Sequence, residues 1–335
     1  METYVQTTES ACFPDTSRSS LRDQAVSSLP IAQMLTAGHI RSFVFPPIRA
    51  CIFDMDGLLI DSEDIYTRVT DEILARYNKG RLPWSIKAQL QGRPTQQAYD
   101  LLQSWAQLPL SQSDYLAETR RLQEEHFPTT QALPGVHSLL KNLTTSPSKP
   151  YIALATSSNS FSYDLKTSHL EESLFSYFEQ DMIIKGDDPR IKSGRGKPAP
   201  DIYLLALDTI NKKREKDMLE RGASRDQILA TRISPTECLV FEDSVPGVEA
   251  GRRAGMRCVW VPHEGLREQY KGREEQVLAG LTGEGRYLDE EAAGGGTSRI
   301  DVKEGVVLRK VDDGWGETKG SLEGFDFERY GILAL

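Results

Sequence analysis

Residues 50–62 read Ala-Cys-Ile-Phe-Asp-Met-Asp-Gly-Leu-Leu-Ile-Asp-Ser (ACIFDMDGLLIDS). The apolar run Ala50–Phe53 has no polar alternation and stops on Asp54-Met55-Asp56-Gly57. Such a run is the pattern of a strand covered on both faces, as in a parallel α/β sheet. Ligands in these sheets sit beyond the carboxyl ends of the strands, so Asp54 and Asp56 fall where small molecules bind. Side chains two apart on an extended segment point the same way. Two crowded carboxylates repel unless positive charge separates them. Mg²⁺, which takes a few carboxylates plus water and phosphate oxygens, suits that place. Asp-x-Asp-Gly is equally an ordinary turn composition, and this stretch alone leaves both readings open.

The sequence on either side supports the sheet. Tyr151–Ala155 is a second apolar strand, ending on Thr156-Ser157-Ser158-Asn159. Met182–Ile184 is a short strand, Cys238–Phe241 a buried one ending on Glu242-Asp243, and Cys258–Val261 another. Helical stretches alternate with them, one starting at Pro200-Asp201, where proline suits the first turn. Between residues 63 and 135 no strand pattern occurs. Ser62 can cap a helix carrying Ile65, Val69, Ile73 and Tyr77, and Trp84–Gln91, Thr95–Leu108 and Ser111–Phe127 follow as helices. The expected fold is α/β, a doubly wound parallel sheet over 48–62 and 136–271, interrupted by an α-helical insertion over 63–135. The charged run 211–234 reads as a solvated insertion or a helix extension, because its signs are mixed.

The chain has 335 residues, enough for this core and one added module. A net charge of −9 argues against non-specific nucleic-acid binding. No apolar run reaches the roughly 18 residues of a membrane span, and no apolar signal-peptide core follows the start. Cys51, Cys238 and Cys258 lie inside apolar runs without CxxC spacing, which predicts buried free thiols rather than disulfides or zinc ligands. These features predict a cytoplasmic monomer without a nucleic-acid or membrane partner. Residues 1–47 read as a disordered tail, 272–320 as a flexible Gly/Glu-rich insertion, and 321–335 as a segment that docks on the core as a final helix.

Asp54/Asp56, Thr156/Ser157 and Glu242/Asp243 all end buried strands, and Lys197 stands just before a helix. Each has a plain structural reading: turn, helix cap, acidic helix start, surface lysine. Together they suit phosphoryl transfer. A carboxylate can attack phosphorus, and a second carboxyl can protonate the leaving oxygen and then activate water. A lysine, a hydroxyl and a metal can balance charge on the equatorial oxygens.

DMDGLLIDS, ALATSS, GKPAPDIY and FEDSVPGVEAGRRAGM, in that order, resemble the four motifs of the haloacid-dehalogenase-like hydrolase superfamily. The resemblance spans about residues 48 to 270. It implies a Rossmann-like hydrolase core with an inserted α-helical cap domain. It further implies Asp54 as nucleophile, Asp56 as general acid/base, and Thr156 and Lys197 as phosphate-binding groups. The implied Mg²⁺ site is Asp54, the backbone carbonyl of Asp56, Glu242 and Asp243. Ser157, Ser158 and Asn159 are implied contacts to phosphate or substrate. Asn78-Lys79, Trp84–Lys87, Lys166-Thr167-Ser168, Gly186–Pro189 and the ending SLEGFDFERYGIL resemble the eukaryotic pseudouridine-5′-phosphatase family and its fungal and plant relatives, which include glycerol-3-phosphatases.

A small phosphorylated metabolite is therefore the expected substrate. Pseudouridine 5′-phosphate or a similar nucleoside monophosphate comes first, and glycerol 3-phosphate or a sugar phosphate is the alternative. A β-phosphoglucomutase-like mutase and a non-catalytic binding protein rank below, since nothing marks a protected phosphoenzyme and Asp54, Asp56, Lys197 and Asp243 are all present. Arg93, in Gly92-Arg93-Pro94-Thr95 between two insertion helices, is the candidate for sensing the substrate away from its phosphate. His126, His137 and His169 have no partners at catalytic or metal spacing and read as structural or surface residues.

Overall fold

The computed structural model describes residues 45–91, 95–282 and 310–333. Within them, Ala50–Phe53 (β1), Tyr151–Ala155 (β2), Ile183–Ile184 (β3), Cys238–Glu242 (β4), Arg257–Trp260 (β5) and Gly316–Thr318 (β6) form one sheet. The order is β3-β2-β1-β4-β5-β6, and each pairing is parallel. Phe53 pairs with Leu154 on one side and Phe241 on the other, so the carboxyl ends of β1, β2 and β4 finish level. The strand order reverses between β1 and β4, which is where open α/β sheets leave a ligand crevice.

Alternate residues feed two apolar layers. Cys51, Phe53, Leu154, Phe241 and Val259 face one layer. It is closed by Val136–Thr145 (α5), Ser160–Thr167 (α6, following the four helices of the insertion) and the chain end. Ala50, Ile52, Ala153, Val240 and Trp260 face the other. That layer packs on Asp201–Glu220 (α7), Val245–Arg253 (α9, after α8 at Arg225–Ala230), Glu264–Gln269 (α10) and Glu274–Leu278 (α11). The strands are apolar on both sides because both faces are covered.

Ser62–Arg76 (α1), Trp84–Leu90 (α2), Thr95–Ala106 (α3) and Gln112–His126 (α4) fill the interval between β1 and α5. Ile65, Val69, Ile73, Leu102, Tyr115 and Leu122 give these helices an apolar cluster of their own. The half-buried Trp84 of α2 meets the sheet-bearing part of the chain: its indole stacks on His263, with ring centres 4.5 Å apart. A Cβ at Gly265 would stand 2.1 Å from that indole, so only glycine admits the approach.

Several expectations need correction. Met182 belongs to a 3-10 turn, Gln180–Met182, and not to β3. β5 starts one residue earlier than expected and ends at Trp260. Within the stretch expected to be flexible, α11 and β6 are regular elements. β6 is held by backbone bonds, Cys258 N to Trp315 O (2.9 Å) and Lys319 N to Trp260 O (2.8 Å), which need no apolar pattern. The chain end forms a 3-10 turn at Glu328–Tyr330 instead of a helix, and Leu322, Phe325, Tyr330 and Ile332 are buried in the core. The charged run begins as the helix extension that the sequence allowed, with α7 continuing to Glu220, but Asn211 and Arg214 are buried rather than solvated. Cys51, Cys238 and Cys258 are buried free thiols. Residues 1–44 and 283–309, expected to be tail and flexible insertion, lie outside the described residues. No helix of the described residues is long and apolar enough to cross a membrane.

Candidate active site

Asp54 immediately follows β1, and its N–H donates to Phe241 O (3.0 Å), which fixes the side chain at the β1–β4 crevice. Lys197, four residues ahead of α7, is buried. Its ammonium pairs with Asp54 Oδ1 and donates to Glu242 Oε1 (2.7 Å) and Ala155 O (3.0 Å). Those contacts use its three N–H donors. Tyr203 OH also donates to Glu242 Oε1 (2.7 Å), and the N–H and hydroxyl of Ser244 both donate to Oε2 at 3.0 Å. Glu242 therefore has protein donors on both oxygens. Asp54 Oδ2 and the Asp243 carboxylate receive no hydrogen bond among the described residues, although both side chains are buried.

Three carboxylates and one ammonium share this crevice, and the charges show it. Burial pushes Asp54 up to about 7; Lys197 pulls against that rise, and Glu242 and Asp56 add to it. Asp243 is raised well above the usual carboxylate range by burial, with help from Glu242, Asp54 and Glu63. Burial alone would lower Lys197, yet Asp54 and Glu242 hold it above its ordinary value. Oxygens of Asp54, Glu242 and Asp243 lie within 4.8 Å of one another. The unpartnered oxygens of Asp54 and Asp243, hard donors in a buried place short of positive charge, fit a divalent cation. Gly57 borders them at φ 79°, and a Cβ there would stand 2.4 Å from Asp243 Oδ2 and 2.7 Å from Glu63 Cγ. Both the backbone angle and the space require glycine.

Asp56 sits apart from that cluster. Its Oδ1 accepts from Ser62 Oγ (2.6 Å) and pairs with Lys166; its Oδ2 accepts from Ser158 Oγ (2.7 Å) and Thr156 Oγ1 (3.3 Å). Burial raises the carboxyl, but Lys166 and the hydrogen bonds from Lys166, Ser62 and Ser158 outweigh it, leaving Asp56 below its ordinary value. Ser62, expected to cap α1, makes no cap bond; Asp61 occupies the cap position and Ser62 turns to Asp56. Thr156 also accepts from Ser158 N–H (3.0 Å). Ser157 is exposed. Asn159 caps α6, accepting from Ser162 N–H at 2.9 Å. Arg93 lies outside the described residues.

The structure thus brings together Asp54, Lys197, Glu242 and Asp243, and beside them Asp56, Thr156 and Ser158. Reading the sequence missed Lys166 as a site residue. The available signal was its place on the same α6 face as the buried Tyr163 and Thr167, an unusual setting for a lysine. His126 bonds Glu72 (2.9 Å) and His169 bonds Thr130 O (2.8 Å), both away from these carboxylates' contacts.

The family model of haloacid dehalogenase-like hydrolases matches residues 48–255. A probable pseudouridine-5′-phosphatase of Saccharomyces cerevisiae is 42% identical over 233 residues, covering 70% of this chain and 90% of the relative. An uncharacterized protein of Schizosaccharomyces pombe is 41% identical over 218 residues, 65% of this chain and 82% of the relative. The mitochondrial (DL)-glycerol-3-phosphatase 1 of Arabidopsis thaliana is 37% identical over 264 residues, 78% of this chain and 80% of the relative. The matched span contains both strand-end carboxylate pairs and Lys197, and the chain belongs to the haloacid dehalogenase-like hydrolase family, as a phosphoric monoester hydrolase.

Proposed function

We propose that the enzyme is a magnesium-dependent phosphatase that hydrolyses a small phosphomonoester through a phosphoryl group carried on Asp54. The buried cluster of Asp54, Lys197, Glu242 and Asp243 carries this reading. The Asp54 carboxylate, paired with Lys197, attacks phosphorus. The ester P–O bond breaks, and the leaving oxygen takes a proton from Asp56. Lys166 and the hydroxyl donors hold the Asp56 carboxyl below its ordinary value, and the negative phosphate arriving beside it favours its protonated form. Water then attacks the aspartyl-phosphate, its proton passes to Asp56, and phosphate departs as the Asp54 carboxylate is restored. Lys197 and Thr156 balance charge on the equatorial oxygens. Asp54, Asp243 and the Asp56 backbone carbonyl would hold the ion, with Glu242 fixed behind them by Lys197, Tyr203 and Ser244. Bound there, magnesium supplies the positive charge that the crowded carboxylates lack.

For the substrate, the name of the yeast relative favours pseudouridine 5′-phosphate, as does that of a Drosophila melanogaster relative, 35% identical and named a probable pseudouridine-5′-phosphatase. Glycerol 3-phosphate is the second reading, supported by the Arabidopsis relative's name. The 63–135 helices, with their own apolar cluster, act in this proposal as a cap over a core made of 48–62 and 136–271. Arg93 contacts the substrate away from phosphate. The enzyme is taken to act as a monomer. The test is magnesium-dependent phosphate release from pseudouridine 5′-phosphate, glycerol 3-phosphate and hexose phosphates, with and without chelator. Chelator-insensitive turnover would reject the metal, and the rank of kcat/KM decides the substrate. Arg93→Ala should lower kcat/KM for the preferred compound and spare a small aryl phosphate; equal losses would remove the specificity role.

A further inference from the structure

Lys166 is fully buried and has no part in the chemistry assigned above. Its ammonium pairs with Asp56 Oδ1 and donates to Ser158 Oγ (2.7 Å) and Tyr66 OH (3.0 Å), which uses all three N–H donors. It also stands 4.9 Å from the ring centres of Tyr66 and Phe127. A buried ammonium is costly unless paired and hydrogen-bonded, and here two of its three hydrogen bonds lead to one carboxylate, one directly and one through Ser158. Ser158 Oγ, which accepts from Lys166, donates onward to Asp56 Oδ2 (2.7 Å). One ammonium therefore orders both oxygens of Asp56, Oδ1 directly and Oδ2 through a hydroxyl. Oδ1 is further gripped by Ser62 (2.6 Å), whereas Oδ2 has Thr156 as its longest contact, at 3.3 Å.

We propose that Lys166 is a positioning residue: it anchors Oδ1 of Asp56 and thereby aims Oδ2 at the ester oxygen of the substrate. The inference rests on the acid–base reading of Asp56 given above. The Thr156 contact is the one that Oδ2 exchanges for the leaving oxygen, since it is the weakest by length. Tyr66 belongs to α1 and Lys166 to α6, so the anchor also joins the first helix of the insertion to the core.

The experiment compares kcat and KM of wild type, Asp56→Asn, Lys166→Met and the double variant on glycerol 3-phosphate and p-nitrophenyl phosphate. Proton donation matters most for poor leaving groups, so Lys166→Met should lower kcat by about 30-fold or more on the alkyl ester and less than about 5-fold on the aryl ester, with KM within about 2-fold. In the Asp56→Asn background it should cost less than about 2-fold more, because the two residues act as one unit. Equal losses on both esters in Asp56→Asn would overturn the acid–base reading, and the proposal with it. A selective Asp56→Asn beside an unselective Lys166→Met would overturn the positioning role alone. Should thermal melts show Lys166→Met unfolded, Tyr66→Phe decides: a selective loss of about 3-fold on the alkyl ester supports the anchor, on the scale of one lost hydrogen bond, and no selectivity overturns it.

Discussion

Asp54 and Asp56 are separated by one methionine and live in opposite electrostatic settings. Burial and neighbouring carboxylates lift Asp54 to about 7, while Lys166 and two hydroxyls hold Asp56 down. Asp54→Asn replaces the attacking carboxylate with a neutral amide. Turnover should fall at least about 10³-fold, as expected for loss of a covalent nucleophile; more than a few per cent residual activity in pure protein would reject Asp54 as nucleophile. Asp243→Asn removes an unpartnered carboxylate and leaves the Lys197–Glu242 pair in place. The concentration of magnesium giving half-maximal activity should rise about tenfold or more, in the range usual for disturbed metal sites; an unchanged value would exclude Asp243 from the ion. These residues were legible because strand ends in register become neighbours however far apart they lie in sequence. Lys166 was not, since its partner lies 110 residues away and a lone lysine on a helix usually faces water.

The loop after β1 and the chain end show what sequence pattern does and does not carry at the level of elements. Gly57 reads as a turn residue, but its tightness against Asp243 appears only in three dimensions. Gly57→Ala should lower magnesium affinity together with activity, because the added methyl displaces Asp243 or Glu63; wild-type metal dependence in a folded variant would contradict this. Strands β1, β2 and β4 were legible from their apolar runs. β6 was not: Gly-Glu-Thr has no apolar pattern, and its place depends on backbone bonds to β5. The docked end was legible in outline through Phe325 and Tyr330. Their rings stack at 5.2 Å, and Phe325 also lies 5.2 Å from Phe241 of β4. Phe325→Ala should cost about 3 kcal/mol in urea unfolding, as for other buried aromatic truncations. A loss under about 1 kcal/mol would mean that the segment contributes little to the core.

For the molecule as a whole, the site stores an electrostatic conflict that couples pH, metal and stability. The folded value of Asp54, about 7, lies above its ordinary 3.8. Folding therefore favours the protonated form. The associated stability is complete below about pH 4 and is lost as pH rises through 7. Metal-free enzyme should melt at lower temperature at pH 8 than at pH 5.5, and magnesium should raise the melting temperature more at pH 8. An equal gain at both values would show that the ion does not relieve this cluster.

The stack of Trp84 on His263 and Gly265 places an indole at the join between the helical insertion and the rest of the fold. Separating the two would wet that ring and shift its emission to longer wavelength. Trp84 is thus a native optical probe of this join. Its signal can be isolated from Trp105, Trp260 and Trp315 by subtracting the spectrum of Trp84→Phe. Stopped-flow mixing with substrate would then test whether this join moves during turnover, without any attached dye.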